Sequence, residues 1–346
     1  MAQFRVGIIG CGRPWKSQGA SGFGMAHFHA HGYTASADTT IVALSDINLE
    51  NARAFQAEHG GERIYADYQE MLAREHLDIV SICTWPHYHA PMVNAAAEAG
   101  VKAIHCEKPM APSYAEALSM VDICKVHRTQ LTINHQRRFG APFRAARDLL
   151  RAGSIGHLQR LEGTCDNLFD WGTHWFDMFG FYNDEATARW VIGQVDWRGG
   201  ATFFGVPLEG QGISLFAYEN GVQGLLLTGH GTERPQSNRL IGSDGVIEVA
   251  LGAPAIRVWG KGDADWREVR VASEAGENLG EVVGQGVLDL IDALKTGREP
   301  ELSAQRALRA TELLFATYES GRRGGRVELP LAALASPFPG AAPLGT

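Results

Sequence analysis

A glutamate, a lysine and a proline, Glu107, Lys108 and Pro109, directly follow a short apolar run. The run, residues 101–106, has the character of a buried strand, which Pro109 cannot extend, and Pro109 also biases Lys108 away from a helix. Glu107 and Lys108 should therefore lie at the carboxyl end of a strand, where ligands bind in an open α/β sheet. A lysine held there can donate a proton or hydrogen bond to a substrate oxygen. The alternative is a surface ion pair between neighbours.

A second group of proton-transferring side chains, Asp170, His174 and Asp177, has helical spacing and would share one face of a helix. A carboxylate one turn before an imidazole can orient the ring or raise its basicity. The neighbouring Trp171 supplies a flat apolar wall that suits a sugar ring or another polyol. The alternative is an aromatic core helix with one hydrogen-bonded histidine. Because a helical glycine costs about 1 kcal/mol relative to alanine, Gly172 favours a site over packing alone.

A glycine-rich turn follows the first predicted strand, residues 4–9. The turn consists of Gly10, Cys11 and Gly12. Glycines in this position allow a tight turn and a close approach of the backbone to a pyrophosphate. The third glycine of a G-x-G-x-x-G pattern is displaced. We interpret residues 13–23, which begin with Arg13, as an insertion in the phosphate loop, and Gly24 as the displaced glycine that opens the first helix.

The second predicted strand, residues 41–46, ends in Asp46. An acid at this point of a dinucleotide-binding unit hydrogen-bonds the ribose hydroxyls of the adenosine and repels a 2′-phosphate. Ile47, not arginine, follows Asp46, which favours NAD over NADP, although Arg13 and Lys16 in the insertion could still accept a phosphate. Asp46 could also act as the N-cap of the helix predicted from residue 49, and the two roles are compatible.

Strands and helices alternate over the first 130 residues or so, which is typical of a parallel, doubly wound sheet. Residues 77–83 form another predicted strand, followed by a polar and aromatic loop that faces the same crevice. The loop residues of interest are Thr84, Trp85, Pro86 and His89. A helix from residue 90, a helix over 114–126 and a strand over 130–134 complete this part. We therefore predict a dinucleotide-binding domain over residues 1–135.

The pattern changes after a predicted bridging helix at residues 142–152. Short strand-like segments follow without long helices between them, and Asn220-Gly221 and Asp244-Gly245 are hairpin-turn pairs. Amphipathic helices are predicted at 282–294 and 303–318. We therefore predict a second, α+β domain over residues 136–331 with a large, mostly antiparallel sheet, and a Pro/Ala/Gly-rich tail over residues 332–346.

Composition narrows the classes of function. The chain has 346 residues, of which 45% are hydrophobic and 20% charged, and its net charge is −8 without a run of Lys and Arg. This is typical of a globular protein with about two domains and makes nucleic acid an unlikely partner. No apolar stretch is long enough for a membrane span, so none is predicted. The N-terminus lacks a signal-peptide layout, and the five cysteines are odd in number and lack metal-type spacing, so we predict reduced thiols and a cytoplasmic location.

Three histidines, His27, His29 and His31, alternate at the start of the first predicted helix. His27 and His31 are four residues apart, which suits one helical face. A metal site needs a third ligand and orienting partners. Because the sequence shows neither, we predict no metal site and interpret the three residues as packing or pocket-edge histidines.

Together these motifs resemble the glucose–fructose oxidoreductase / inositol dehydrogenase / MocA family over nearly the whole chain. The resemblance rests on the glycine turn, Asp46, the Thr84-x-Pro86-x-x-His89 segment, the Glu107-Lys108-Pro109 segment and the Asp170-x-x-x-His174 segment. The family implies a nicotinamide cofactor, an open-faced second sheet that covers the substrate on one side and makes oligomer contacts on the other, and a dimer or tetramer. The main departure is the insertion at residues 13–23, and Trp85 and His87 are also not the family's commonest residues at their positions.

The resemblance also implies roles for residues. Lys108 would contact the reacting hydroxyl or carbonyl, His174 would be the general acid/base, and Asp170 would bind substrate and tune His174. Arg138 and Trp171 complete the predicted substrate-binding set. The predicted cofactor-binding residues are Gly10, Cys11, Gly12, Arg13, Gly24, Asp46, Ile47, Thr84, Trp85, Pro86, His89, Glu107 and Lys108.

The function expected from the sequence is that of an NAD-dependent dehydrogenase or reductase acting on a sugar, inositol or related polyol. Two alternatives differ in class. One is a glycosidase that retains NAD and uses transient oxidation to expel a leaving group. The other is a non-catalytic NAD sensor or regulator, and such relatives tend to lose the lysine or the histidine that this chain keeps.

Overall fold

The computed structural model describes residues 3–229, 237–251, 254–271, 279–332 and 338. The chain divides into two compact units. The first comprises Met1–Pro112, Glu116–Gln136 and Leu279–Gln305, and the second comprises Ser113–Ala115, Arg137–Asn278 and Arg306–Thr346. The predicted tail, residues 332–346, lies outside the described residues except at positions 332 and 338.

The first unit is built on a six-stranded parallel sheet. Its strands are β1 (Phe4–Ile9), β2 (Thr39–Ser45), β3 (Arg63–Tyr65), β4 (Ile79–Ile82), β5 (Ala103–Cys106) and β6 (Gln130–Ile133). They lie in the order β3-β2-β1-β4-β5-β6, the strand order of a dinucleotide-binding fold with its switch point between β1 and β4. The doubly wound parallel sheet predicted from the sequence is confirmed.

Helices connect these strands. They are α1 (Met25–Ala35), α2 (Leu49–His59), α3 (Tyr68–Glu75), α4 (Pro86–Glu98) and α5 (Tyr114–His127). The strands are apolar because helices cover both faces of a parallel sheet, and Val6, Ile8 and Ile79 are completely buried in the resulting core. Helix α4 begins at Pro86, earlier than the predicted start at residue 90, because proline suits the first turn of a helix, where its missing N–H has no partner to lose.

The remaining helices are α6 (Ala141–Arg151), α7 (Thr173–Tyr182), α8 (Leu279–Thr296) and α9 (Ala304–Arg323). Helix α8 belongs to the first unit, whereas the sequence placed this segment in the second domain. The reason is its close packing on α1: a Cβ at Gly32 would lie 2.6 Å from Val287 Cβ, so only glycine permits the contact. Val287, Leu290 and Ile291 of α8 thereby join the core of the first unit.

A nine-stranded mixed sheet forms the second unit. Its strands are β7 (Leu158–Cys165), β8 (Ala188–Asp196), β11 (Gln211–Tyr218), β12 (Gln223–Gly229), β13 (Ser237–Gly242), β14 (Gly245–Ala250), β15 (Ile256–Gly260), β16 (Arg267–Glu268) and β17 (Val327–Glu328). The two short strands β9 (Thr202–Phe203) and β10 (Val206–Pro207) pair with each other. All neighbours in the large sheet are antiparallel except β7 and β12, which confirms the mostly antiparallel prediction.

The two turn pairs form the hairpins predicted for them. Asn220-Gly221 lies in the connection from β11 to β12, with Gly221 at a φ of 87°. Ser243-Asp244 connects β13 to β14, and Gly245 is the first residue of β14. Helix α7 covers one face of the sheet, where Phe176 packs against Phe216 of β11 with ring centroids 5.7 Å apart. None of the helices within the described residues combines the length and the apolarity that a membrane crossing needs.

Candidate active site and cofactor-binding segments

The glycine turn at the end of β1 leaves space for a ligand beside the backbone. Gly10 and Gly12 have φ angles of 83° and 59°, which favour glycine because other residues are strained there. A Cβ at Gly10 would lie 2.8 Å from Thr84 Cγ2, whereas a Cβ at Gly12 would meet no atom within 4 Å. The backbone at Gly12 is therefore open to close approach, as a pyrophosphate requires. Cys11 is completely buried and packs in the core of the first unit.

Gly24 opens helix α1, as the sequence predicted. It is the N-cap residue and has a left-handed conformation, with φ 65° and ψ 36°. A Cβ there would lie 2.4 Å from the carbonyl oxygen of Arg13, so the two ends of the insertion meet at a position that only glycine can occupy. Residues 13–23 therefore form a closed loop between the glycine turn and the first helix.

The insertion is tied to α2 and exposes aromatic surface. Arg13 Nε donates a hydrogen bond to Asn51 Oδ1 at 2.9 Å. Lys16 Nζ lies 4.1 Å from the ring centroid of Trp15, and Trp15 packs against Phe23 with centroids 6.0 Å apart. Trp15 and Phe23 are nevertheless exposed. The loop thus presents a cation and an aromatic pair to solvent beside the glycine turn.

Asp46, at the end of β2, faces the glycine turn. Its Oδ2 accepts a hydrogen bond from the backbone N–H of Gly12 at 2.9 Å, and its Oδ1 accepts one from Asn48 N–H at 2.8 Å. The N-cap of α2 is Asn48, whose side chain accepts from Glu50 N–H, so the alternative role of Asp46 as the N-cap is wrong. The next residue, Ile47, is 96% exposed, which leaves an apolar side chain in solvent beside this carboxylate.

The segment after β4 combines an exposed aromatic residue with a buried histidine. Trp85 is exposed and precedes Pro86 at the start of α4. His89 is fully buried, with Nδ1 2.9 Å from the carbonyl oxygen of Pro109 and Nε2 3.1 Å from that of Thr84. Burial lowers the pKa of His89, so the ring is neutral near pH 7, and either tautomer places its N–H against a carbonyl. His89 thereby braces the chain next to Lys108.

Glu107 and Lys108 follow β5 directly. Glu107 is buried, and its Oε1 accepts hydrogen bonds from His29 Nε2 at 2.9 Å and from Asn134 Nδ2 at 2.6 Å, while its Oε2 accepts from Lys108 N–H at 3.2 Å. Burial alone would raise the pKa of Glu107, but the bonds from His29 and Asn134 and the charge of Lys108 lower it overall. An ionised carboxylate therefore fixes the backbone of the half-buried Lys108.

The partners of Glu107 belong to a buried polar chain that the sequence did not reveal. Ser81 Oγ lies 3.1 Å from His29 Nδ1 and 2.9 Å from Tyr33 Oη. A consistent assignment has Tyr33 donating to Ser81, Ser81 to His29 Nδ1, and His29 Nε2 to Glu107. In the sequence these groups appear only as single polar residues within apolar segments. Their hydrogen bonds could not be inferred from it, because the partners belong to α1, β4 and the end of β5.

The segment that carries Asp170 and His174 is helical, but it is not a regular α-helix. Leu168–Gly172 is a π-helical turn that leads into α7. Its N-cap Asn167 accepts hydrogen bonds from Asp170 N–H at 2.7 Å and Trp171 N–H at 3.3 Å. Asp170 and His174 are mostly buried, and the His174 ring lies 6.4 Å from that of Trp171. Such turns occur frequently at functional sites.

Packing accounts for Gly172. A Cβ there would lie 3.2 Å from the carbonyl oxygen of Asn167 and 3.3 Å from Leu226 Cδ2, tighter than ordinary van der Waals contact. The argument from sequence that this glycine indicates a site rather than packing is therefore wrong. The chemical nature of Asp170, Trp171 and His174, rather than the glycine, supports a site in this segment.

Arg138 and Asp177 are committed to an ion-pair network in the second unit. Arg138 is almost completely buried, and its Nε and Nη2 donate to the two carboxylate oxygens of Asp177 at 2.8 and 2.9 Å. Its Nη1 donates to Glu185 Oε1 at 2.5 Å. A substrate contact by Arg138 would have to displace these carboxylates. Because Asp177 is paired with Arg138, it is not chemically equivalent to Asp170 and His174, with which it was predicted to share a helix face.

Two residues that sequence reasoning missed lie against the Asp170 segment. Arg137 places its guanidinium carbon 5.1 Å from the Trp171 ring centroid and 4.5 Å from that of Trp175. Glu209 accepts hydrogen bonds from Leu168 N–H and from Tyr318 Oη. Burial raises the pKa of Glu209. Both residues hold the π-helical turn in place from elsewhere in the chain.

Each unit therefore gathers one group of the predicted residues. In the first unit, the glycine turn, Asp46, Thr84 and Lys108 lie at the carboxyl ends of β1, β2, β4 and β5, on both sides of the switch point. In the second unit, Asp170, Trp171 and His174 lie on one helical segment. The first group has the composition of a dinucleotide site and the second that of a proton-transfer site.

Comparison with known proteins agrees with this composition. Residues 4–135 match a family model described as "Oxidoreductase family, NAD-binding Rossmann fold". A curated relative, D-apiose dehydrogenase of Paraburkholderia graminis, is 29% identical over 367 aligned positions, which cover 94% of this chain and 90% of the relative.

Solved structures show the same fold at lower identity. An oxidoreductase from Agrobacterium radiobacter in complex with NAD+, L-tartaric acid and magnesium superposes with a TM-score of 0.78 at 22% identity, covering 94% of this chain and 98% of that one. Levoglucosan dehydrogenase in complex with NADH and levoglucosan superposes with a TM-score of 0.77 at 21% identity, covering 95% and 100%.

Proposed function

The chain belongs to the glucose–fructose oxidoreductase / inositol dehydrogenase / MocA family of NAD-binding oxidoreductases, and we propose that Lys108 and His174 carry its reaction on a sugar, inositol or related polyol. The observation that carries the proposal is the position of Lys108 at the end of β5, one strand from the switch point and braced by Glu107 and His89.

The residues of the first unit fit NAD better than NADP. Gly12 has open space where a Cβ would be, and Asp46 presents a buried carboxylate at the end of β2. A carboxylate there accepts hydrogen bonds from ribose hydroxyls and repels a 2′-phosphate. The exposed side chain of Ile47 supplies an apolar surface for the adenine ring. Arg13 is engaged with Asn51, so a phosphate would compete with an existing hydrogen bond.

We assign the proton-transfer steps to two side chains. The bound nicotinamide supplies the hydride chemistry. During oxidation, the substrate hydroxyl loses its proton to His174, while the ammonium of Lys108 stabilises the negative charge that develops on the oxygen. Asp170 binds substrate and tunes the basicity of His174. Reduction of a carbonyl uses the same groups in reverse.

A polyol is the substrate class that best matches the second group. Trp171 offers a flat apolar surface to the apolar face of a sugar ring, while Asp170 and His174 offer hydrogen-bonding groups to its hydroxyls. Similar proteins are named for sugars and sugar derivatives, such as D-apiose dehydrogenase and levoglucosan dehydrogenase. The individual sugar is set by loops whose chemistry varies within such folds.

Turnover with a panel of sugars tests the proposal. Purified protein is incubated with NAD or NADP and single polyols, and the absorbance of the reduced cofactor is followed. We expect NAD-linked turnover that falls by a factor of about 10² or more in Lys108→Met and stays unchanged in Lys125→Met, which removes an exposed lysine from α5. Equal rates in the two variants would refute the role of Lys108.

Adding aryl glycosides to the panel separates the two other classes of function. Cleavage of aryl glycosides without accumulation of NADH would indicate the NAD-retaining glycosidase. Binding of NAD without turnover of any polyol or glycoside would indicate a regulator. Either result would contradict the proposed dehydrogenase.

We further propose a cytoplasmic homodimer or homotetramer. All five cysteines are unpaired thiols, which fits a reducing compartment. Ile192, Ile213 and Leu227 expose apolar side chains on the strands of the large sheet, a surface that an oligomer contact would cover. Light scattering coupled to size-exclusion chromatography tests this, and a monomer at micromolar concentration would contradict it.

A further inference from the structure

Two histidines from different helices of the first unit face each other with ring nitrogens in contact. His27, in the first turn of α1, places Nδ1 2.8 Å from Nε2 of His59, the last residue of α2. Both imidazoles are nearly buried, with exposed side-chain fractions of 8% and 5%. The sequence offered no partner for His27 because His59 is 32 residues away along the chain.

A carboxylate completes the cluster. Glu58 Oε2 lies 3.4 Å from His27 Nδ1, and its Oε1 lies 3.6 Å from His59 Nε2. Two nitrogens and a carboxylate thus converge, with all ligand atoms within 4.8 Å of one another. The Glu58 side chain is half exposed, so solvent reaches the cluster from its side. Phe55 packs beneath both imidazoles, with ring centroids 5.0 Å from His27 and 4.7 Å from His59.

The arrangement suits metal ligation because two buried ring nitrogens face each other at 2.8 Å, so at least one of them presents a lone pair to the other. A neutral imidazole has one such lone pair to donate to a metal. Without an ion, one of the facing nitrogens must carry a proton and donate it to the other. With an ion, both lone pairs and one carboxylate oxygen become ligands, and the buried apolar floor orients the rings.

The spacing needs only a small adjustment. Two nitrogens bound to a tetrahedral zinc at 2.0–2.1 Å are about 3.3 Å apart, so the rings must separate by about 0.5 Å from the 2.8 Å they show. Side-chain torsions at His59, which ends its helix and is followed by Gly60 at a φ of 85°, can supply this movement. His31 lies next to the cluster, with its ring 5.4 Å from that of His59.

We propose that His27, Glu58 and His59 form a zinc-binding site that ties the first turn of α1 to the end of α2. Two imidazoles, one carboxylate and a water give the mixed nitrogen and oxygen set that Zn²⁺ accepts in tetrahedral geometry. The site lies outside the proposed reaction centre, and its function would be to fasten the helix that begins directly after the phosphate loop.

Direct metal titration of the full-length protein tests the proposal. The protein is stripped with a chelator, and Zn²⁺ binding is measured by calorimetry, with Co²⁺ as a spectroscopic probe of tetrahedral coordination. We expect one ion per chain and visible Co²⁺ absorption of the tetrahedral type. Zn²⁺ should also raise the melting temperature, because an ion that binds the folded state stabilises it.

Three variants distinguish a built site from adventitious binding. His59→Gln removes one nitrogen ligand and should weaken Zn²⁺ binding at least about 100-fold, more than the loss of an outer-shell partner. Glu58→Gln changes a half-exposed residue, so folding is preserved, and should weaken binding by about 10–100-fold. His127→Gln, which changes an exposed histidine at the end of α5, is the matched control and should bind like wild type.

Each remaining outcome overturns the proposal. Binding weaker in His127→Gln than in His59→Gln would place the ion elsewhere. Equal affinity in wild type, His59→Gln and Glu58→Gln, or much less than one ion per chain in wild type, would mean that the facing histidines are only a hydrogen-bonded pair. Circular dichroism of every variant in the absence of metal identifies any loss of affinity that results from unfolding.

Discussion

Replacing Glu107 by glutamine should lower the local stability of the region around Lys108, and the hydrogen bonds in the structure give the size of this effect. Three donors converge on the carboxylate, and the longest bond, 3.2 Å, comes from Lys108 N–H. A glutamine carbonyl can keep the bonds from His29 and Asn134, but its amide then meets Lys108 N–H donor to donor. Leaving one buried donor unsatisfied costs about 1–3 kcal/mol.

The effect should be measured locally because the chain has two units and a single free energy of unfolding is not defined for it. Hydrogen exchange followed by mass spectrometry reports local opening. A loss of about 1–3 kcal/mol corresponds to exchange roughly 5- to 150-fold faster in peptides from β5 and the segment after it. Glu98→Gln, at an exposed position on α4, is the matched control, and its effect should stay within about 0.5 kcal/mol.

The pH dependence gives an independent check. The pKa of Glu107 in the folded protein is lowered from its ordinary value of 4.5, so the stabilisation by the ionised carboxylate is complete above pH 4.5. As the pH falls below 4.5, the unfolded state takes up the proton first, and the stabilisation is lost through the lower folded pKa. The difference between wild type and Glu107→Gln should therefore shrink below pH 4.5. Exchange rates that match those of Glu98→Gln at pH 7, or a difference that grows in acid, would refute the reasoning.

Three further predictions concern other parts of the candidate site. Arg138→Met should destabilise the second unit locally by about 3–5 kcal/mol, because it removes the guanidinium that is paired with the buried Asp177. Arg151→Met, at an exposed ion pair, should cost under about 1 kcal/mol in the same hydrogen-exchange measurement on peptides of the second unit. Asp46→Ser should raise the Kd for NAD and lower the ratio of the Kd for NADP to the Kd for NAD, both measured by calorimetry. An unchanged ratio would contradict the assigned ribose contact. His174→Asn should lower kcat by about 10²–10⁴ while the Kd for NAD stays the same, and a loss of NAD binding instead would argue against an acid/base role.

Local chemistry explains why much of the first unit was predictable. The glycine turn, Asp46 and Lys108 each follow an apolar run, and a parallel sheet brings the ends of such runs to one edge. Their positions could therefore be inferred from short stretches of sequence without any knowledge of packing. The start of α4 at Pro86 was missed because the preceding polar residues suggested a loop, although proline in a first turn is itself a helix signal.

The partners of the site residues could not be predicted in this way. His29 and Asn134 contact Glu107 from 78 and 27 residues away, and Arg138 reaches Glu185 over 47 residues. The assignment of Arg138 to substrate binding failed to foresee these acids, because a buried guanidinium and a substrate-binding one look alike in sequence. Gly172 was misjudged for a similar reason, since Leu226, which restricts it, lies on β12, far from the helical turn in sequence.

The sequence by itself determined the fold class, the composition of the candidate cofactor-binding edge and the chemical groups available for reaction, because these depend on residue type and on spacing within one strand or helix. Only the tertiary structure decided which groups are held by others: Glu107 by His29 and Asn134, Asp177 by Arg138, and His27 by His59. The physical reason is that a hydrogen bond or ion pair acts over about 3 Å in space, and helix and strand periodicity carries no information about which distant segments packing brings that close.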